Sequence, residues 1–162
     1  MKPKILIIRF SSLGDLILTT AFYRELKKVR PDAELHLVTS KEFAPLFAHC
    51  PHIKKLYQFD RRSGTDALDE LATKLKQEDW DEVFDLHQSL RSRLLLIKLF
   101  GSFYRWKKKI HRIDKRSLKR NLLISLKMNF LKSFPSQRAS YLKLLEASYP
   151  NHESGYHTEL FT

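Results

Sequence analysis

Asp15 follows directly on a short turn in Ile5-Leu6-Ile7-Ile8-Arg9-Phe10-Ser11-Ser12-Leu13-Gly14-Asp15-Leu16-Ile17-Leu18-Thr19-Thr20. An apolar run of strand length gives way to small residues, and apolar positions at helical spacing (Leu16, Thr20, Tyr23, Leu26) then begin. A carboxylate between a buried strand and the following helix stands where open α/β sheets receive ligands, outside the carboxyl ends of the strands. The chemistry open to it there is general-base catalysis on a substrate hydroxyl. The same position also suits a helix N-terminal residue that the macrodipole favours and that does no chemistry. Because the dipole favours the charged form, a base at this point needs its hydroxyl placed well. Phosphate cradling is not indicated: Gly14 is the only glycine of the turn, and neither G-x-G-x-x-G nor a Gly-Lys-Ser/Thr ending is present.

A second set of residues brings positive charge to comparable loops. Arg61 and Arg62 follow one apolar run, and His87, Gln88, Ser89, Arg91 and Arg93 follow another. The planar guanidinium fork suits bidentate contact with phosphate or carboxylate, although any single one of these is equally an ordinary surface arginine. His49, Cys50 and His52 are close in sequence but have no zinc spacing and no second ligand pair, so no metal site is expected. Nor does anything mark Cys50 as a nucleophile.

The elements that must position these groups alternate. Strands are predicted at Lys4 to Arg9, Glu34 to Val38, Lys55 to Phe59 and Glu82 to Asp85. Between them fall helices at Asp15 to Val29, closed by Arg30-Pro31-Asp32, a short one at Phe43 to Ala48, and one at Asp66 to Gln77. A further helix, Leu90 to Phe100, stops at Gly101, and a fifth strand is predicted at Phe103 to Trp106. Lys107 to Arg116 is a basic stretch. Leu118, Leu122, Leu126 and Phe130 mark an amphipathic basic helix over Ser117 to Phe130, suited either to packing on the sheet or to a membrane surface. A last helix spans Ser136 to Ser148. This order predicts an α/β fold with a doubly wound parallel sheet.

At 162 residues the chain is one ordinary domain, too short for two nucleotide-binding halves. Its 43% hydrophobic and 12% aromatic content excludes disorder, and a single cysteine excludes an internal disulfide framework and suits a reducing compartment. The N-terminal apolar run is too short for a signal peptide or a membrane span. Net charge is +12, and all of the excess lies late: residues 1 to 89 hold 14 Lys/Arg against 14 Asp/Glu, and residues 90 to 162 hold 16 against 4. Such one-sided charge calls for an anionic partner, whether nucleic acid, an anionic membrane or a phosphorylated substrate.

The opening motif, from Ile7-Ile8-Arg9-Phe10-Ser11-Ser12-Leu13-Gly14-Asp15 through Thr20, resembles glycosyltransferase family 9, the bacterial heptosyltransferases of lipopolysaccharide core synthesis. The resemblance continues through Tyr23-Arg24-Glu25-Leu26-Lys27, Arg30-Pro31-Asp32-Ala33-Glu34, Phe59-Asp60-Arg61, Phe84-Asp85-Leu86-His87 with Arg91-Ser92, and Tyr141-Leu142-Lys143-Leu144-Leu145. It implies a Rossmann-like doubly wound sheet, the N-terminal half of a GT-B glycosyltransferase. Residues 1–150 would form the acceptor-side domain and 151–162 the start of a linker, with the donor-binding domain absent.

By the same resemblance Asp15 is the catalytic base. It deprotonates an acceptor hydroxyl that attacks the anomeric carbon of a nucleotide-sugar donor such as ADP-heptose, with inversion and with no metal or other cofactor. Ser11, Ser12, Gly14, Arg61, Arg62, His87, Gln88, Arg91 and Arg93 are then the acceptor-binding candidates. The acceptor is an anionic glycolipid, Kdo-lipid A or the inner core, and the location is cytoplasmic, peripheral at the inner face of the inner membrane. Alone, such a half is expected to turn over poorly or not at all. Two other classes fit the charge: a nucleic-acid-binding module using Lys107 to Arg120, which has no accompanying recognition motif, and a degenerate scaffold.

Overall fold

The structure is a computed structural model that describes residues 1–64, 66–102, 110–113 and 136–151. The chain runs β1 (Lys4–Ile8), α1 (Leu13–Val29), β2 (Glu34–Ser40), a 3₁₀ turn (Ala44–Phe47), β3 (Ile53–Phe59), α2 (Asp66–Leu75), β4 (Glu82–Asp85), α3 (Leu90–Phe100), β5 (Ile110–Arg112) and α4 (Gln137–Ser148). The five strands are all parallel, in the order β3-β2-β1-β4-β5. Ile8, the last residue of the central strand, pairs with Val38 of β2 and with Asp85 of β4.

β1 is apolar on both faces because both are covered, as parallel sheets require. Ile5 and Ile7 join Leu35, Leu37 and Phe84 beneath Leu16, Phe22, Tyr23 and Leu26 of α1 and Tyr141 and Leu145 of α4. Leu6 and Ile8 join Val38, Phe59 and Val83 beneath Leu68, Leu71 and Leu75 of α2 and Leu95 and Leu96 of α3. The result is helix, sheet, helix in three layers.

Helix α1 starts two residues before the predicted Asp15 because Ser12 is its N-cap, in extended conformation, and Asp15 occupies the third position, where its carboxylate reaches back to the cap. Ser136 likewise caps α4, its hydroxyl accepting from the Ala139 N–H at 3.1 Å. The predicted Phe43 to Ala48 helix is a single 3₁₀ turn with Pro45 near its start. β5 falls at Ile110–Arg112, within the basic stretch Lys107 to Arg116, for which no element was predicted. Residues 103–106, where a strand was predicted, and the predicted basic helix over 117–130 lie outside the described residues, as does the tail from 152 onward.

At the amino end of the sheet Glu82 gathers Arg30 Nη1 at 2.5 Å, the Tyr149 hydroxyl at 2.6 Å and His111 Nε2 at 3.2 Å. Burial opposes ionisation of Glu82, but bonds from His111 and Tyr149 and the Arg30 charge hold its carboxyl below the usual range. This cluster ties the end of α1, β5 and the end of α4 to the start of β4. No helix among the described residues is long and apolar enough to cross a membrane.

Candidate active site

In this strand order the chain leaves β1 toward β2 on one side and later fills the other side with β4. The loops after β1 and β4 therefore diverge at the carboxyl edge and open the crevice in which α/β sheets place ligands. Asp15 stands on one wall and His87, Gln88 and Ser89 on the other.

The Asp15 carboxylate is clamped through one oxygen. Oδ2 accepts from the guanidinium of Arg9, from the Ser12 hydroxyl at 3.0 Å and from the Ser12 backbone N–H at 3.5 Å. None of the described residues bonds Oδ1, and the side chain is 31% exposed. The charge is thus fixed in orientation while one acceptor oxygen stays open to solvent. Gly14, on the exposed first turn, extends this openness, since a Cβ there would meet nothing within 4 Å.

Arg9 sets this geometry. It is 3% exposed, donates through Nη1 to the Leu86 carbonyl at 2.5 Å and lies over the Tyr141 ring at 5.7 Å. It therefore ties the β1 loop, the β4 loop and α4 to one buried cation. Burial pushes the Tyr141 phenol up to about 12, so the ring beside Arg9 stays neutral. Arginine's delocalised, weakly hydrated charge is the kind that tolerates such burial.

The opposite wall is built on a second carboxylate. Asp85 is fully buried at the end of β4; its Oδ1 accepts from the His87 and Gln88 N–H groups at 3.1 and 2.8 Å. Its Oδ2 accepts from the Ser92 hydroxyl at 3.0 Å and from Arg112 Nε at 3.2 Å. These bonds hold Gln88 in the left-handed region at φ 50°, a conformation that costs a non-glycine residue about 1 kcal/mol or more. The Gln88 side-chain amide bonds the Ile113 carbonyl, and Ser89 caps α3, accepting from the Ser92 N–H at 3.1 Å.

Buried aromatic contacts brace the walls from the α2 and α3 side of the sheet. Phe10 meets Phe59 of β3 at 5.2 Å and the edge of His87 at 5.4 Å, and Arg91 extends over Phe59 with its guanidinium carbon 5.9 Å from the ring centroid. The loops after β1 and β4 thus pack in one contact series against the carboxyl end of β3.

Of the sequence candidates, Ser11, Ser12, Gly14, Asp15, His87, Gln88 and Arg91 fall around this crevice. Arg61 stands on the β3 loop and pairs with Glu42 at 3.5 Å in an exposed ion pair. The Arg62 N–H donates to Asp60 Oδ1 at 2.9 Å in a tight turn, and Arg93 is exposed on α3. The guanidinium in contact with Asp15 is that of Arg9, which residue spacing did not single out. Its sequence signal is a charge directly after a fully buried strand, which must find a counter-ion nearby. Asp85 carries a similar signal, an acidic residue ending a buried strand. Among the described residues no group of three or more His, Cys, Asp or Glu side chains is arranged to hold a metal ion.

No protein-family model matches the chain. A curated relative, lipopolysaccharide heptosyltransferase 1 of Campylobacter coli, is 28% identical over 121 residues, which is 72% of this chain and 32% of the relative. A glycosyltransferase family 9 structure from Veillonella parvula superposes with a TM-score of 0.74 at 22% identity, covering 100% of this chain and 47% of that one. The E. coli heptosyltransferase WaaC, solved with ADP-2-deoxy-2-fluoro heptose, gives 0.67 at 18% identity over 94% of this chain and 51% of its own. The chain therefore spans about a third of the curated relative's length and about half of these solved structures. The Rossmann-like doubly wound sheet is the fold they share. Motifs, relative and fold agree on one likeness: over the part of those proteins that it spans, this chain is similar to glycosyltransferase family 9.

Proposed function

We propose that this chain is the acceptor-binding, base-carrying half of an inverting glycosyltransferase that moves heptose from ADP-heptose to the lipopolysaccharide inner core. The observation that carries the reading is the Asp15 clamp, with Oδ2 saturated by Arg9 and Ser12 and Oδ1 open at the crevice of the sheet. An acceptor hydroxyl lying against Oδ1 gives up its proton there as its oxygen forms the new bond to the anomeric carbon. The bond from that carbon to the diphosphate oxygen breaks, ADP leaves with the electron pair, and configuration inverts. Arg91 and, from the neighbouring loop, Arg61 and Arg62 supply cations for the phosphate or carboxylate groups of an anionic acceptor.

The test is Asp15→Asn in the full gene product, assayed for heptose transfer. The amide keeps an oxygen for Arg9 but cannot take the proton, so transfer falls by about 10²- to 10⁴-fold while the folded far-UV spectrum is retained. Turnover within a few-fold of the parent would remove Asp15 from the chemistry.

A further inference from the structure

Two hydrogen bonds hold the Arg9 guanidinium, Nη1 to the Leu86 carbonyl at 2.5 Å and Nη2 to Asp15 Oδ2. Nε is buried and bonds none of the described residues. Bonds through the two terminal nitrogens fix a line across the group and leave its plane to the flexible stem. A planar fork meets an acceptor's lone pair squarely only when that plane is also set. Any tilt passes to the Asp15 carboxylate, because the bonds to Oδ2 decide where the open Oδ1 lies. The contact able to set the plane is the Tyr141 ring, whose centroid is 5.7 Å from the guanidinium carbon. Tyr141 is itself immobilised, fully buried in the core layer that α4 and α1 form over Ile5 and Ile7. Ring and cation are both withdrawn from water, the condition under which an aromatic face holds a cation most strongly.

We propose that Tyr141 is a positioning residue for the transfer reaction, its ring face setting the plane of the Arg9 guanidinium and, through it, the direction in which Asp15 presents Oδ1. The proposal rests on the reading of Asp15 as the base. The Ser12 hydroxyl and N–H also reach Oδ2, but they belong to the same turn as Asp15 and move with it. They hold the carboxylate to the start of α1 and give it no reference outside that turn. Arg9 and Tyr141 supply the outside reference, from the end of β1 and from α4. Helix α4 forms neither wall of the crevice, yet its one buried ring governs the aim of the reacting group.

The experiment compares Tyr141→Met and Tyr141→Leu, which fill the core position without a ring face, with Tyr141→Phe, which keeps the face. In the 162-residue chain, heteronuclear NMR signals of the Arg9 guanidinium report the positioning directly. The parent and Tyr141→Phe should show resolved, slowly exchanging Nη protons. The two non-aromatic variants should show them merged or broadened, with the backbone signals of α2 and α3 unmoved. In the full gene product, assayed for heptose transfer, the non-aromatic variants should lose about 10- to 100-fold in kcat, the range that a small misplacement of a reacting group costs, with acceptor and donor KM within about twofold of the parent's. Tyr141→Phe should recover most of that loss, which a role confined to filling the core does not require of the ring face. Arg9 signals in the non-aromatic variants that match the parent's would overturn the inference, as would a Tyr141→Phe that loses as much turnover as Tyr141→Met. The two readings separate cleanly: normal turnover by Asp15→Asn removes both, whereas an inactive Asp15→Asn beside a parent-like Tyr141→Met removes only the positioning role.

Discussion

Arg9 and Asp15 offer a sharp test because their environments differ: the guanidinium is 3% exposed and the carboxylate 31%. Arg9→Met keeps the aliphatic stem and deletes the charge, removing the bonds to Asp15 and to the Leu86 carbonyl and the contact with Tyr141. A hydrogen bond to a charged group contributes about 1.5–3 kcal/mol. Deleting a buried cation whose Nε has no bonding partner gives part of that back. The net cost should be about 2–4 kcal/mol. Asp15→Asn leaves the larger anomaly, a buried guanidinium without its counter-charge, softened by the remaining amide oxygen, and should cost about 2 kcal/mol.

In the double variant neither partner is stranded, so the two costs should fail to add by about 1–3 kcal/mol, between the values for exposed and fully buried pairs. Urea unfolding of the four proteins measures this coupling, and it should persist at high salt because the pair is shielded from counter-ions. Additivity to within about 0.5 kcal/mol would refute the reasoning and leave Ser12 as the residue that orients the base.

Two further outcomes bear on the wall and the core. Asp85→Ala removes the carboxylate that Arg112 Nε, the Ser92 hydroxyl and the His87 and Gln88 N–H groups share, so it should lower stability by about 3–5 kcal/mol in urea unfolding, with Asp85→Asn costing clearly less because one acceptor oxygen remains. His36 is buried between Tyr57 and Trp80, and burial lowers its pKa from the usual 6.5 despite the nearby Glu78 and Glu34 carboxylates. The unfolded chain then binds the proton more readily. Stability should be fully present above pH 6.5 and fall as the pH drops below it, and His36→Phe should remove that part of the slope.

The alternation of β and α elements was legible because buried parallel strands leave short apolar runs and amphipathic helices leave a periodic face. Glu82 to Asp85 and Leu90 to Phe100 lie where the pattern put them. β5 was not legible: Ile110-His111-Arg112 has no apolar alternation and is a strand because β4 offers an open edge, with His111 stacking on Phe84 at 4.6 Å. Asp15 was legible as a site from its place after the first strand. Its Arg9 partner was not, since the pairing depends on a buried cation turning back six residues toward a helix start, which periodicity does not encode. The Phe10, Phe59 and His87 contacts join the β1 and β4 loops to the end of β3, segments far apart in sequence, and follow only from the strand order.

That aromatic series makes the mouth of the crevice cooperative. With Phe10 touching both Phe59 and His87, the β1 loop cannot swing away without opening a void against both neighbours, and close-packed contacts tolerate little partial separation. The β1 and β4 loops, both packed against the fixed end of β3, therefore share one free-energy cost of opening. A molecule that engages a single loop must work against the whole cost, whereas one long enough to touch both recovers contact from each. Discrimination between short and extended ligands thus arises from the mechanics of the loops, before any individual hydrogen bond is compared.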